Sequence, residues 1–174
     1  AETWVQTILA QHGVAVRESI GGRLFVLYWG DTESDPGRLI ERTLAARAFK
    51  AGDTWINSVR LAVYGTGAPV TEPSVETGAS FGDGRVQLAG YHLPSTRFEP
   101  GDVVPLTLFW QAETEPDARL KVFVHLVDPE GGLVAQVDAE PRGGFAPTTT
   151  WAPDEMIIDR YGIVLPPVVA PGTY

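Results

Sequence analysis

"VFVHLVDPEGGLVAQVD", Val122 to Asp138, is the stretch on which the fold turns. Two apolar runs flank Asp128-Pro129-Glu130-Gly131-Gly132, the pattern of a β-hairpin. Proline sets φ for the first turn position, and a glycine takes the left-handed conformation that closes the loop. The expected turn is type I at Pro129-Glu130 with Gly131 left-handed. Pairing Asp128 with Gly132 then sets Val124 opposite Gln136 and Val122 opposite Asp138. In that register His125 and Asp138 point to opposite faces, because side chains alternate along a strand. A His–Asp dyad is therefore not expected here, and only a bulge would bring the two onto one face. Both residues stay candidate ligand-binding groups, weighed against a plain scaffold role.

Working outward, the chain around the hairpin is a series of short strands with Pro/Gly punctuation. The candidates are 85–93, 103–113, 119–127, 132–140 and 156–165, separated by turns such as "PGD" (100–102) and "EPDA" (115–118). Such spacing predicts an antiparallel β-sandwich, Ig-like or jelly-roll-like, over residues 79–174. Pro105 fits a strand start or an edge strand, since it has no N–H for a ladder. The closing "PPVVAPGTY" normally leads into another strand, so the sandwich reads as missing its last strand or strands.

The first 65 residues have a different rhythm. "TWVQTILAQHG" puts Trp4, Val5, Ile8 and Leu9 at helical spacing before Gly13. "RLFVLYWG" (23–30) is a continuous apolar run of the kind buried on both faces. Asp35 and Pro36 open a second helix whose stripe is Ile40, Leu44 and Ala48, with Gly52 past its end. "SVRLAVYG" (58–65) is a further strand. Strand, helix and strand predict a βαβ unit with parallel strands, a small α/β fragment over 1–65. "TGAPVTEPSVETG" (66–78) reads as a linker, so the overall class is α+β in two domains.

The chain has 13 Lys/Arg against 22 Asp/Glu, a net charge of −9. Residues 1–65 are balanced at seven of each, whereas 66–174 hold six basic against fifteen acidic. An acidic surface without a basic patch argues against nucleic acid as a partner. No apolar run reaches the roughly 18 to 20 residues of a membrane span, and the N-terminus lacks the features of a secretory signal. Without cysteine, disulfides, thiolate nucleophiles and cysteine-ligated metals are excluded.

Motifs for catalysis or cofactors are not found. No G-x-S-x-G elbow accompanies Ser80, Ser95 or Thr148–Thr150. His12, His92 and His125 are scattered, so no metal site is expected by pattern. A calcium site from Asp154, Glu155 and Asp159 is weighed against solvated surface charge. The glycine pairs form no G-x-G-x-x-G, and no cofactor is expected. A carboxylate pair among Asp138, Asp154 and Asp159, held roughly 5 to 10 Å apart, would serve a glycoside hydrolase. The aromatics point elsewhere: Trp110, Trp151 and Tyr91 beside polar groups are what a sugar-binding sandwich uses, because a pyranose face stacks on flat rings. The alternative is that the tryptophans anchor the core. Exposed rings would favour sugar binding, and buried rings a structural or protein-interaction module.

The pieces "PGD…LTLFW", "VFVHLVD…AQVD", "PTTTW" and "DRYGIVLPP…PGTY", in this order within 81–174, resemble the C-terminal β-domain of bacterial, Chloroflexus-like membrane glycosyltransferases of the family 39, protein-mannosyltransferase-like type. The α/β segment before it is similar too. The resemblance implies a parent protein with membrane helices and a lipid-linked sugar donor, whose catalytic acids lie in a region that this chain does not match. It therefore implies a non-catalytic domain on the extracytoplasmic face of the membrane, with no catalytic residue of its own. The implied partners are the membrane part of the parent and an acceptor glycan or polypeptide.

Overall fold

A computed structural model describes residues 22–30, 33 and 35–174. The helix read over residues 3–13 lies outside the described residues. The molecule is mostly β, in two layers: a mixed seven-stranded sheet and a two-stranded sheet packed on part of it. Its class is thus the expected α+β with a sandwich-like body.

Strand β1 (Arg23–Tyr28) leads to helix α1 (Leu39–Arg47), then β2 (Phe49–Ile56) and β3 (Val59–Gly65). β1 alternates, with Leu24, Val26 and Tyr28 buried at 2–7% exposure and Phe25 and Leu27 open. The apolar run expected to be covered on both faces is thus covered on one by the described residues. Asp35 caps α1 as its carboxylate accepts the N–H groups of Leu39 and Ile40 at 2.8 and 3.0 Å. Arg38, left-handed at φ 50°, delays the first helical residue to Leu39. Ile40, Leu44 and Ala48 face inward as their spacing predicts, and join the β1 side chains with Ala62 and Tyr64 in one core cluster. Beside that core, Glu41 accepts from Arg60 and Arg38, each at 2.8 Å, and the Arg60 guanidinium lies 4.4 Å over the Tyr28 ring.

The parallel pairing expected between 23–28 and 58–65 is corrected here. α1 stops at Arg47 and β2, not foreseen, occupies residues 49–56. A turn at Asn57, whose φ of 55° asparagine tolerates, then returns the chain antiparallel. β3 is antiparallel to both β1 and β2 and lies between them. The strands that α1 joins, β1 and β2, do run the same way, so the βαβ unit is present in split form.

After β3 come β4 (Val75–Phe81), β5 (Val86–His92), β6 (Val103–Ala112), β7 (Val122–Val127), β8 (Leu133–Ala139) and β9 (Ile157–Val164). The five strands expected in this region are all present. β4 is the addition: it takes the end of the stretch read as linker and forms an exposed edge strand, with a bulge at left-handed Gly78. The large sheet runs β1-β3-β2-β9-β6-β5-β4, so it continues across the expected boundary at 66–78 through a parallel bridge of Lys50 to Tyr161. Pro105 pairs with Gly162 of β9 on one side, and on the other β5 has ended at His92 opposite Thr107. No ladder there asks for its missing N–H. Among the described residues no helix is long and apolar enough to cross a membrane.

Candidate functional site

The hairpin β7–β8 forms the small sheet and covers part of the large one. Its turn follows expectation: Asp128 N–H donates to Gly132 O at 2.9 Å, and Gly131 is left-handed at φ 84°. Its register does not. A bulge lies between Leu126 and Val127, where Leu126 pairs with Ala135 and Val127 with Leu133. Val124 therefore faces Val137, His125 faces Gln136, and Phe123 faces Asp138. The hydrophobic pattern decides this. The unbulged register would bury Gln136 and Asp138 beside Val124 and Val122, whereas the bulge turns Ala135, Val137 and Ala139 inward instead.

The expectation that His125 and Asp138 lie on opposite faces is thereby corrected. Both stand on the outer face, with His125 Nε2 3.5 Å from Asp138 Oδ1. Their side chains are 46% and 32% exposed, so water screens the pair. No serine or threonine hydroxyl is bonded to the imidazole among the described residues, and the arrangement is an exposed imidazole–carboxylate contact.

Trp110 and Trp151 are both buried, at 6% and 2% exposure. Trp151 Nε1 donates to Ala146 O at 2.9 Å, and Trp110 meets Phe81 edge-on at 5.7 Å. The Trp110 indole N–H is buried without an acceptor among the described residues. Tyr91 is half-buried and packs against the same cluster.

These placements converge on one feature. Between the sheets, beside β7, lies an apolar cleft of about 500 Å³. Its floor is Leu88, Leu106, Leu108 and Trp110 from β5 and β6, and Phe81 and Trp151 also line it. Its side wall is β7, including His125. Three of the candidates, Trp110, Trp151 and His125, thus meet at one cleft. Asp138 reaches it only through His125, and Tyr91 is not on its wall. The leucines of the wall had no individual sequence signal, since they are the ordinary inward residues of β5 and β6.

Thr148, in the "PTTTW" loop, was weighed in the sequence only as a nucleophile, and its role here is a different one. Its hydroxyl donates to Ala118 O at 2.6 Å and accepts the Leu120 N–H at 3.0 Å, tying the loop to the entry of β7. Asp159 is fully buried. It accepts from Tyr161 Oη at 2.5 Å and from the Arg142 N–H at 2.8 Å. Burial pushes its carboxyl above the usual range, partly offset by those hydrogen bonds. Burial and the adjoining carboxylate likewise raise the Tyr161 phenol. Asp159 therefore stands apart from exposed Asp154 and Glu155, and among the described residues no three His or acidic side chains gather as a metal site. None of Asp138, Asp154 and Asp159 lines the cleft.

Compared with known families, curated proteins and solved structures, the chain matched none.

Proposed function

We propose that the chain is a binding module rather than a catalyst, an extracytoplasmic accessory domain of a membrane glycosyltransferase-like protein that holds an acceptor in the cleft between its sheets. The membrane setting follows from the resemblance of residues 81–174. The cleft is the observation that carries the binding role. Its size lies within the roughly 300–1,000 Å³ typical of ligand sites, and its walls are apolar with few polar groups. Among the described residues two buried side-chain groups lack a partner, the Thr107 hydroxyl and the Trp110 N–H, and the second belongs to a residue of the cleft floor.

Of the two acceptor classes, polypeptide has the better support. A pyranose stacks on an open ring face and needs several hydrogen-bonding groups around it. Trp110 and Trp151 present little ring surface, and the remaining wall is mostly aliphatic. An apolar peptide segment matches that wall.

The test is an NMR titration that follows the Trp110 indole resonance against short glycans and apolar peptides. Peptides are expected to shift it together with residues 122–125, and Leu88→Trp, which fills the cleft, to abolish the shift. A response to glycans alone would replace polypeptide by glycan as acceptor. An indole that nothing moves would overturn the binding role.

A further inference from the structure

The side wall of the cleft is one continuous stretch of chain. Residues 120 to 125, six in succession and the last four of them in β7, all line it. Along a strand successive side chains point to opposite faces, so consecutive residues share one wall only where the strand presents its edge. β7 uses its other edge for β8, and the small sheet has no third strand among the described residues. A row of β7 N–H and C=O groups therefore faces the cleft. Such an edge is a template for a further strand.

The interface between the sheets is also incomplete at that place. β7 and β8 cover Tyr161, Ile163 and Leu165 through Val124, Leu126, Ala135 and Val137. Past β7 the apolar lining continues through Leu108, Leu88 and Phe81. A strand laid beside β7 would prolong an interface the molecule already has. Charge agrees: the wall carries Lys121 and His125 but no carboxylate, in a part of the chain with fifteen acidic residues against six basic. A neutral segment fits it.

We propose that the cleft takes an extended segment of a partner polypeptide, added as a strand along the free edge of β7. Apolar side chains at alternate positions would sit on Leu88, Leu108 and Trp110, and main-chain groups would pair with β7. The Trp110 N–H would gain a carbonyl acceptor. This inference rests on the binding role proposed for the cleft and names the kind of acceptor and its pose.

The experiment uses the whole chain and a neutral, end-capped peptide of about ten residues alternating valine with threonine. Binding is followed by the Trp110 indole resonance, and pairing by amide hydrogen exchange along β7. Strand addition is expected to slow alternate amides of residues 122–126 by about tenfold or more. N-methylation of the peptide at alternate positions on one edge is expected to weaken binding by about tenfold, and on the other edge to leave it unchanged. If the peptide shifts the indole without alternate protection or edge-dependent methylation, strand addition is overturned while the cleft remains a binding site. If no probe shifts the indole, both readings fall. If the chain itself sediments as a dimer with β7 amides already protected, a second copy holds the edge and the partner proposal is overturned. Leu88→Trp, with an unchanged circular dichroism spectrum, is expected to lose peptide binding, and its retention would place the peptide elsewhere.

Discussion

Single side chains in this molecule hold loops to strands, and two of them make sharp predictions. Thr148 satisfies the Ala118 carbonyl and the Leu120 N–H with one hydroxyl, at 2% exposure. Thr148→Val keeps the shape and strands both backbone groups. A loss of about 1–3 kcal/mol is expected in denaturant unfolding, most of it recovered in Thr148→Ser. Asp159 predicts a pH dependence. Its folded-state pKa lies above the unfolded value because of burial, so the folded state binds the proton more tightly. Its contribution to stability is then complete below the ordinary carboxylate range and lost as pH rises through the raised value. Asp159→Asn removes that slope. The variant is expected to gain on the wild type at neutral pH relative to acid pH, and a difference that does not vary with pH would refute the assignment.

At the scale of elements, α1 is fixed to the sheet by a buried carboxylate with the opposite sign of behaviour. Burial pushes Glu41 up, but hydrogen bonds from Arg60 and Arg38 outweigh it and hold the carboxyl at about 2. Stability from Glu41 is thus present above its unfolded value of 4.5 and lost as pH falls toward 2. On the order of 2 kcal/mol is at stake. Glu41→Gln should flatten that acid limb, as measured by unfolding between pH 5 and about 2. The hairpin makes the fourth prediction. Deleting Val134, the extra residue of the bulge, leaves Leu126 opposite Ala135 and Val127 opposite Leu133. The inward set is retained, so a stability change within about 1 kcal/mol is expected, with cross-strand NOEs between Val124 and Val137 preserved. The hairpin also shows what a sequence conveys at this scale. Its strands and turn were legible from apolar runs and DPEGG, yet turn geometry alone gave the wrong register. The deciding signal was the alternation of Ala135, Val137 and Ala139 with Gln136 and Asp138, which asks for a bulge. β2 and β4 were hidden for other reasons. The helix pattern ran on into the polar residues of β2, and β4, exposed along its whole length, has no buried face to leave a period.

At the scale of the whole molecule, the cleft was legible only in part. Trp110 and Trp151 stood out as large rings, but that they would be buried at the two-sheet junction depends on packing between strands far apart in sequence. The same holds for the joint between the two parts of the chain. The composition of 66–78 marks a boundary, yet the sheet runs across it, and side chains reinforce the crossing. Arg160 of β9 donates to Ala46 O at 2.7 Å, at the end of α1, and to Val70 O at 3.3 Å. Arg38, just before α1, and Arg42 within it lie over the Phe145 ring at 4.7 and 5.7 Å. These contacts are enough to predict one cooperative unfolding transition, read alike by amide exchange in β1–β3 and by near-ultraviolet circular dichroism of the buried tryptophans. Arg160→Ala removes the two hydrogen bonds that reach across and leaves the Ala46 carbonyl, at a helix end, without its partner. The variant is expected to unfold in two steps, with β1–β3 leaving first and β5–β9 persisting. A single transition in both proteins would mean that the continuous sheet carries the coupling by itself. Two transitions already in the wild type would mean that 66–78 separates independent units, with the Lys50–Tyr161 bridge too slight to join them.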